Sequence, residues 1–251
     1  MHPEVLKIAK LIDHAVLHPT HTEKDTVAAC EIGRKYAVGA VCVKPCFTAA
    51  AARVLAGSGV AVCAVTGFPH GISTTATKVF ETAEAIRNGA TEIDVVVNNG
   101  WVAEGRWEDV AREIRAVQKT CADAGAILKV IFENDYLRPE QIAMLCKICS
   151  EAGVAFVKTS TGFGYVKQPN GDFNYKGATA EAVSLMRSAS APSVRIKAAA
   201  GIRTLDDLLR FRDLGCARIG AAATVAILAE AESRLAGETA TAAAPNDAKG
   251  Y

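Results

Sequence analysis

Three residues break apolar, β-branched runs with charge. They are Asp94 in Glu-Ile-Asp-Val-Val-Val-Asn, Lys158 in Ala-Phe-Val-Lys-Thr-Ser-Thr-Gly and Lys197 in Val-Arg-Ile-Lys-Ala-Ala-Ala-Gly. A charge buried in such a run needs a partner, a route to water or a task. A structural ion pair, or a lysine at a strand end reaching solvent, accounts for any one of them. Two lysines and an aspartate together fit imine chemistry on an aldehyde or ketone. A lysine amine attacks a carbonyl only when unprotonated, and its usual pKa of about 10.4 leaves roughly 0.04% free amine at pH 7. Bringing that value to about 7 takes roughly 4.6 kcal/mol, and both desolvation and a second ammonium push that way. Lys158 and Lys197 would then be a nucleophile and its activating neighbour, with Asp94 moving protons through a water. Spacing alone does not say which lysine attacks.

The elements that must position these groups recur along the chain. Strand-like runs span Leu11–Leu17, Gly39–Val43, Val60–Thr66, Glu92–Asn98, Ile127–Glu133, Ala155–Ser160, Val194–Ala199 and Ala217–Gly220. Amphipathic stretches such as Glu23–Tyr36, Thr74–Asn88, Trp107–Ala124, Pro139–Ala152 and Thr204–Leu214 lie between them. Thr204 is placed to cap its helix, with Asp206 and Asp207 in the first turn and Arg210 and Arg212 near the end. Near-continuous apolar strands alternating with helices mean a parallel sheet covered on both faces. About eight such units favour an α/β fold closed as a (β/α)8 TIM barrel over an open doubly wound sheet, and place the chemistry at the carboxyl ends of the strands. Residues 1–236 read as one barrel domain, and residues 237–251, rich in Ala, Thr, Gly and Pro, as a flexible C-terminal tail.

Composition removes other classes. The 251 residues carry 28 basic and 27 acidic side chains, so no charge footprint favours nucleic acid or an anionic membrane. No apolar stretch approaches the roughly 18 residues of a membrane span, and the N-terminus lacks a secretory pattern. Eight cysteines in a chain of this length suit reduced thiols in the cytoplasm better than a disulfide scaffold.

Longer motifs sharpen this reading. Gly67-Phe-Pro-His-Gly with Thr74-Thr-Ala-Thr-Lys-Val, the Asp94 motif, Leu128-Lys-Val-Ile-Phe-Glu, Val157-Lys-Thr-Ser-Thr-Gly-Phe and Lys197-Ala-Ala-Ala-Gly-Ile-Arg-Thr follow one another in order. Together they resemble the class I 2-deoxyribose-5-phosphate aldolases, from Leu11-Ile-Asp-His through Arg218-Ile-Gly-Ala. The resemblance implies a barrel with an extra N-terminal helix, here Glu4–Lys10, and a lyase joining acetaldehyde to glyceraldehyde 3-phosphate reversibly. It implies Lys158 as the Schiff-base lysine, Lys197 as the group favouring its free amine, and Asp94 sharing the proton relay with Lys197. No metal or cofactor is implied. The partners would be small aldehydes and a sugar phosphate, and a homodimer is possible. Lys129 and Asp13 match charged family positions and are expected to pair inside the barrel as support. Cys42 stands near the pocket or serves as a small core residue, and Thr161 shares the Lys158 motif. Tyr251, the last residue, matches a family tyrosine that folds over the mouth, or is a frayed terminus.

The phosphate site departs from the family pattern. By position it would use Gly162, Phe163, Ala200, Gly201, Ile202, Arg203, Gly220, Ala222 and Ala223. Ala200 replaces a usual glycine, and Ala222 and Ala223 replace two serines. Each lost hydrogen bond to a charged group costs about 1.5–3 kcal/mol, so the pair weakens phosphate binding by roughly two to four orders of magnitude unless replaced. Arg203, Lys167 and Lys176 could compensate. The alternatives are an aldolase for non-phosphorylated aldehydes, a non-catalytic sugar-phosphate binder, and an isomerase using Glu133 as base. Arg195 reads either as inward, paired with an acid such as Glu92, or as solvated. His14, His18 and His21 read as loop and surface residues, and His70 as lining the pocket entrance. Cys146 and Cys149 sit in a helical pattern without a second ligand pair for zinc.

Overall fold

A computed structural model describes residues 1–237; Tyr251 and residues 238–251 of the expected tail lie outside the described residues. The strands are β1 (Ile12–Val16), β2 (Ala40–Val43), β3 (Ala61–Thr66), β4 (Glu92–Val96), β5 (Ile127–Ile131), β6 (Phe156–Lys158), β7 (Val166–Lys167), β8 (Phe173–Asn174), β9 (Arg195–Ala199) and β10 (Cys216–Ala221). Eight of them close a parallel barrel in the order β1-β10-β9-β6-β5-β4-β3-β2, and β7 and β8 form a separate antiparallel hairpin. The helices are α1 (Pro3–Leu11), α2 (Glu23–Tyr36), α3 (Thr48–Leu55), α4 (Thr75–Arg87), α5 (Asn99–Glu104), α6 (Trp107–Asp123), α7 (Pro139–Glu151), α8 (Ala180–Ala189), α9 (Leu205–Asp213) and α10 (Thr224–Leu235). The expected barrel and its extra N-terminal helix are both present. No helix among the described residues is long and apolar enough to cross a membrane.

Local chemistry sets the helix boundaries. Thr204 accepts from the Asp207 amide and Asp207 returns the bond, closing the capping box that starts α9. Thr22 and Asp25 do the same for α2. Alternation along the strands then sorts the core. Val41, Val62, Ile93, Leu128, Val157, Ile196 and Ile219 join the large core shared with the helices. Leu17, Ala40, Cys42, Cys63 and Val65 form a second, small cluster.

One buried ion pair lies away from that small cluster. Lys78 of α4, fully buried, donates to Glu113 of α6 at 2.7 Å and to the Val96 carbonyl at 2.8 Å. Burial pushes the Glu113 carboxyl up despite Lys78. Lys78→Met strands that carboxylate and is expected to lower stability by about 3–5 kcal/mol in urea unfolding, whereas Lys78→Met with Glu113→Leu should recover most of the loss. Equal losses in the single and the double variant would show that the pair's charges do not set the cost.

Candidate active site

Strand register brings the charged residues together. Asp94 is paired with Lys129, Lys158 with Lys197, and Lys197 with Arg218. Ala15 lies opposite Cys42, and Cys42 opposite Cys63, so the wall formed by β1–β3 carries small side chains. Those small residues leave room for four long cationic ones.

Asp94 is the hub of the cluster. Its Oδ1 accepts from Lys129 Nζ at 2.9 Å and from the Cys63 thiol at 3.1 Å; its Oδ2 accepts from Lys158 and Lys197, each at 2.8 Å. Asp13 faces Lys197 at 2.5 Å and also binds Arg218. Glu92 faces Lys129 at 2.6 Å and Arg218 at 2.9 Å. Asp94, Lys129 and Lys197 are fully buried, and Lys158 is 3% exposed. Three carboxylates, Asp13, Glu92 and Asp94, thus meet three lysines and one arginine.

Burial alone would raise the Asp94 carboxyl, but Lys129, Lys158 and Lys197 hold it well below the usual carboxylate range. Asp13, similarly opposed by burial, is drawn down to about 2 by Lys197, Lys129 and Arg218. Burial works against the Lys197 cation, yet Asp13 and Asp94 hold its pKa well above the ordinary lysine value. Lys197 is therefore a firm cation sharing one carboxylate oxygen with Lys158. An amine, a carboxylate and a fixed ammonium in contact can form an imine and move protons around it.

Cys42, Cys63 and Asp94 place ligand atoms within 4.8 Å of one another. Lys129 Nζ already stands 3.2 Å from the Cys63 sulfur and 2.9 Å from Asp94, and Lys197 Nζ 3.5 Å from Cys42. Those ammonium groups disfavour a metal cation there.

Residues 7–229 match the family described as DeoC/LacD family aldolase. The chain belongs to that family. A deoxyribose-phosphate aldolase of Bacillus cytotoxicus is 44% identical over 223 residues, 89% of this chain and 95% of that protein. One from Mannheimia succiniciproducens is 40% identical over 228 residues, 91% of this chain and 96% of that protein. Among solved structures, QR15, an aldolase, superposes with a TM-score of 0.82 at 34% identity, covering 92% of this chain and 99% of that one. The deoxyribose phosphate aldolase of Aeropyrum pernix, described as a unique tetramer, gives 0.81 at 28% identity, covering 92% and 93%.

Other expected positions of this aldolase fall less simply. Asp13 and Lys129 are 3.8 Å apart, and the shorter contacts of Asp13 are to Lys197 and Arg218. Arg195 is exposed at the start of β9, its guanidinium 4.0 Å from the Phe156 ring centre, so the acid-paired reading gives way to Arg218. His14 is a correction: it lies buried in β1 rather than on the surface, bonded to Thr224 at 2.8 Å and lowered to about 4 by burial. Cys42 packs in the small cluster, with its sulfur 3.5 Å from Lys197 Nζ.

At the mouth, Thr161 is buried and bonded to Glu133, and buried Gly162 follows it. Ala200 and Gly201 take successive left-handed conformations at φ 75° and 81°, which is costly for the alanine. Gly220 packs flat against Ala199, where a β-carbon would come within 2.9 Å. Arg203 is exposed and its guanidinium lies 3.5 Å from the Tyr175 hydroxyl. Ala222 is exposed, and Ala223 starts α10 without a capping side chain. Sequence reading missed the β7–β8 hairpin, whose foot donates from the Ala178 amide to the Ala200 carbonyl at 3.2 Å.

Proposed function

We propose that this protein is a class I deoxyribose-phosphate aldolase working through Lys158, with Lys197 and Asp94 as its proton relay. The observation that carries the reading is the single Asp94 oxygen shared by Lys158 and Lys197 at 2.8 Å each. In the synthetic direction the Lys158 amine adds to the acetaldehyde carbonyl, and loss of water leaves a protonated imine. That cation acidifies the neighbouring methyl, which gives its proton through water to the Asp94–Lys197 pair. The resulting enamine carbon attacks glyceraldehyde 3-phosphate, the relay returns a proton to the new hydroxyl, and water releases deoxyribose 5-phosphate. Cleavage runs the same steps backwards with the imine as electron sink. A neutral Lys158 leaves Lys129, Lys197 and Arg218 balanced against Asp13, Glu92 and Asp94. Acetaldehyde with borohydride should add a stable ethyl group to Lys158, read by peptide mass; a folded protein without that adduct would reject the mechanism.

The phosphate is held by backbone amides of the loops after β9 and β10 and by the uncapped N-terminus of α10, where aligned N–H groups favour an anion. Arg203 and Lys176 stand in for the hydroxyls that Ala222 and Ala223 lack. Arg203→Ala is therefore expected to raise KM for deoxyribose 5-phosphate about 10- to 100-fold and leave deoxyribose unchanged. Ala222 and Ala223 favour the second reading, an aldolase for non-phosphorylated substrates. The kcat/KM ratio between deoxyribose 5-phosphate and deoxyribose decides it: a ratio above about a thousand fits a working phosphate site, and one near unity the second reading. The setting is the cytoplasm, where the eight free cysteines stay reduced, and light scattering tests whether the assembly is a homodimer.

A further inference from the structure

Glu133 belongs to neither the Asp94 cluster nor the loops assigned to phosphate. It follows β5, is 1% exposed, and takes the left-handed conformation at φ 58°, which a residue with a β-carbon adopts at a cost. Backbone bonds bracket it: the Phe132 amide donates to the Lys158 carbonyl at 3.0 Å, and the Asn134 amide to the Thr159 carbonyl at 2.9 Å. The turn therefore grips the segment that carries Lys158. Both Glu133 oxygens accept from the Thr161 amide at 3.3 Å, and Oε2 accepts from the Thr161 hydroxyl as well. The same hydroxyl accepts from the Phe163 amide at 2.9 Å. Phe163 packs edge-on against Phe68 at 5.4 Å, and both rest on Leu17, Cys42, Cys63 and Val65 inside the barrel. A chain of contacts thus runs from one buried carboxylate, through Thr161, to an aromatic pair packed on the small cluster that holds Cys42 and Cys63.

We propose that Glu133 is a positioning residue of this aldolase: its carboxylate fixes the Thr161–Phe163 turn that walls the reacting space and so sets the pose of the aldehyde meeting the Lys158 adduct. This rests on the Lys158 reading. The backbone strain and burial at Glu133 are the cost of aiming a carboxylate inward where a glycine would turn freely. Burial pushes the Glu133 carboxyl up to about 7; the charged groups facing it are Lys158 on β6, which opposes that shift, and Asp135 in the following turn, which adds to it. Protonation removes one acceptor from a site where the Thr161 amide and hydroxyl both donate. The grip therefore tightens as pH rises through about 7. Folding stability moves the opposite way: a carboxyl raised above its unfolded value costs stability as pH climbs from its ordinary range to about 7.

The test compares the parent, Glu133→Gln, Thr161→Val and their double variant in deoxyribose 5-phosphate cleavage from pH 5.5 to 9. Borohydride trapping with acetaldehyde runs in parallel. Trapping on Lys158 should persist in every variant, which separates this inference from the lysine reading itself. Glu133→Gln should lose about 10- to 100-fold in kcat/KM at pH 8 and lose the activity rise centred near pH 7, as expected for a misplacement of about 1 Å. Its stability relative to the parent should improve between pH 5 and 8. Thr161→Val should reproduce the activity loss, and the double variant should be no worse than either single one. Should Glu133→Gln fail to fold, Thr161→Val and its pH profile carry the test. An unchanged acid limb in Glu133→Gln, or losses that multiply in the double variant, would overturn the proposal. Absent trapping in the parent would overturn the lysine reading instead.

Discussion

Lys158→Leu should leave a folded protein whose turnover of deoxyribose 5-phosphate falls by about four orders of magnitude or more, because no other group can carry the covalent intermediate. The fold should survive. Among the described residues Lys158 has one ionic partner, Asp94, and that carboxylate keeps Lys129 at 2.9 Å and Lys197 at 2.8 Å after the change. Among the described residues, the remaining cations Lys129, Lys197 and Arg218 then equal Asp13, Glu92 and Asp94 in number. Leucine therefore removes a basic group from the cluster without stranding a carboxylate. The measurements are steady-state cleavage rates and adduct mass, with circular dichroism to confirm the fold. Activity within a hundredfold of the parent, or an adduct still forming at another lysine, would move the nucleophile elsewhere in the cluster.

How much of this was legible beforehand depended on the length scale of each signal. Asp94, Lys158 and Lys197 stand out because a charge inside a run of Val, Ile and Ala has no solvent to reach, whereas Lys129 and Asp13 enter through the family resemblance. The barrel followed from repetition of the same unit. Arg218 was hidden because its strand, Cys216–Ala221, shifts register between Cys216 and Arg218, which spoils the alternation. Its partners Asp13 and Glu92 lie 205 and 126 residues away and meet it only when the barrel closes. Arg195 shares parity with Lys197, but it is the exposed first residue of its strand, and its guanidinium lies over the Phe156 ring. The β7–β8 hairpin has strands of two residues each, too short for any periodicity. His14 followed Asp13 in a strand already recognised, and alternation alone would have turned it toward the helices, where it meets Thr224. The aspartate–lysine cluster was thus readable from local pattern, while the groups that brace it depend on closure.

Asp94→Asn is expected to damage both stability and activity, and the two losses should separate with pH. The parent carboxylate, fully buried, faces three lysine Nζ atoms at 2.8–2.9 Å. An amide keeps the shape but removes the counter-charge, and its NH2 must point a donor at one of those nitrogens. Stranding buried charge in this way costs about 3–5 kcal/mol at neutral pH. The Asp94 carboxyl is held well below its unfolded value, so its contribution is fully present above the ordinary carboxylate range and is lost as pH falls through and below it. Urea midpoints of parent and variant should therefore differ most near pH 7 and converge as the solution is made acidic. Catalysis should fall about 10²- to 10⁴-fold, the usual worth of a positioned proton-transfer group. The deficit should persist at every pH where both proteins are folded. A variant that matches the parent's midpoint at pH 7, or keeps kcat/KM within tenfold, would mean that the shared oxygen between Lys158 and Lys197 is neither the electrostatic keystone nor the proton carrier. The two lysines would then have to be balanced by Asp13 and Glu92 alone, which face Lys197 and Lys129 but make no ion pair with Lys158.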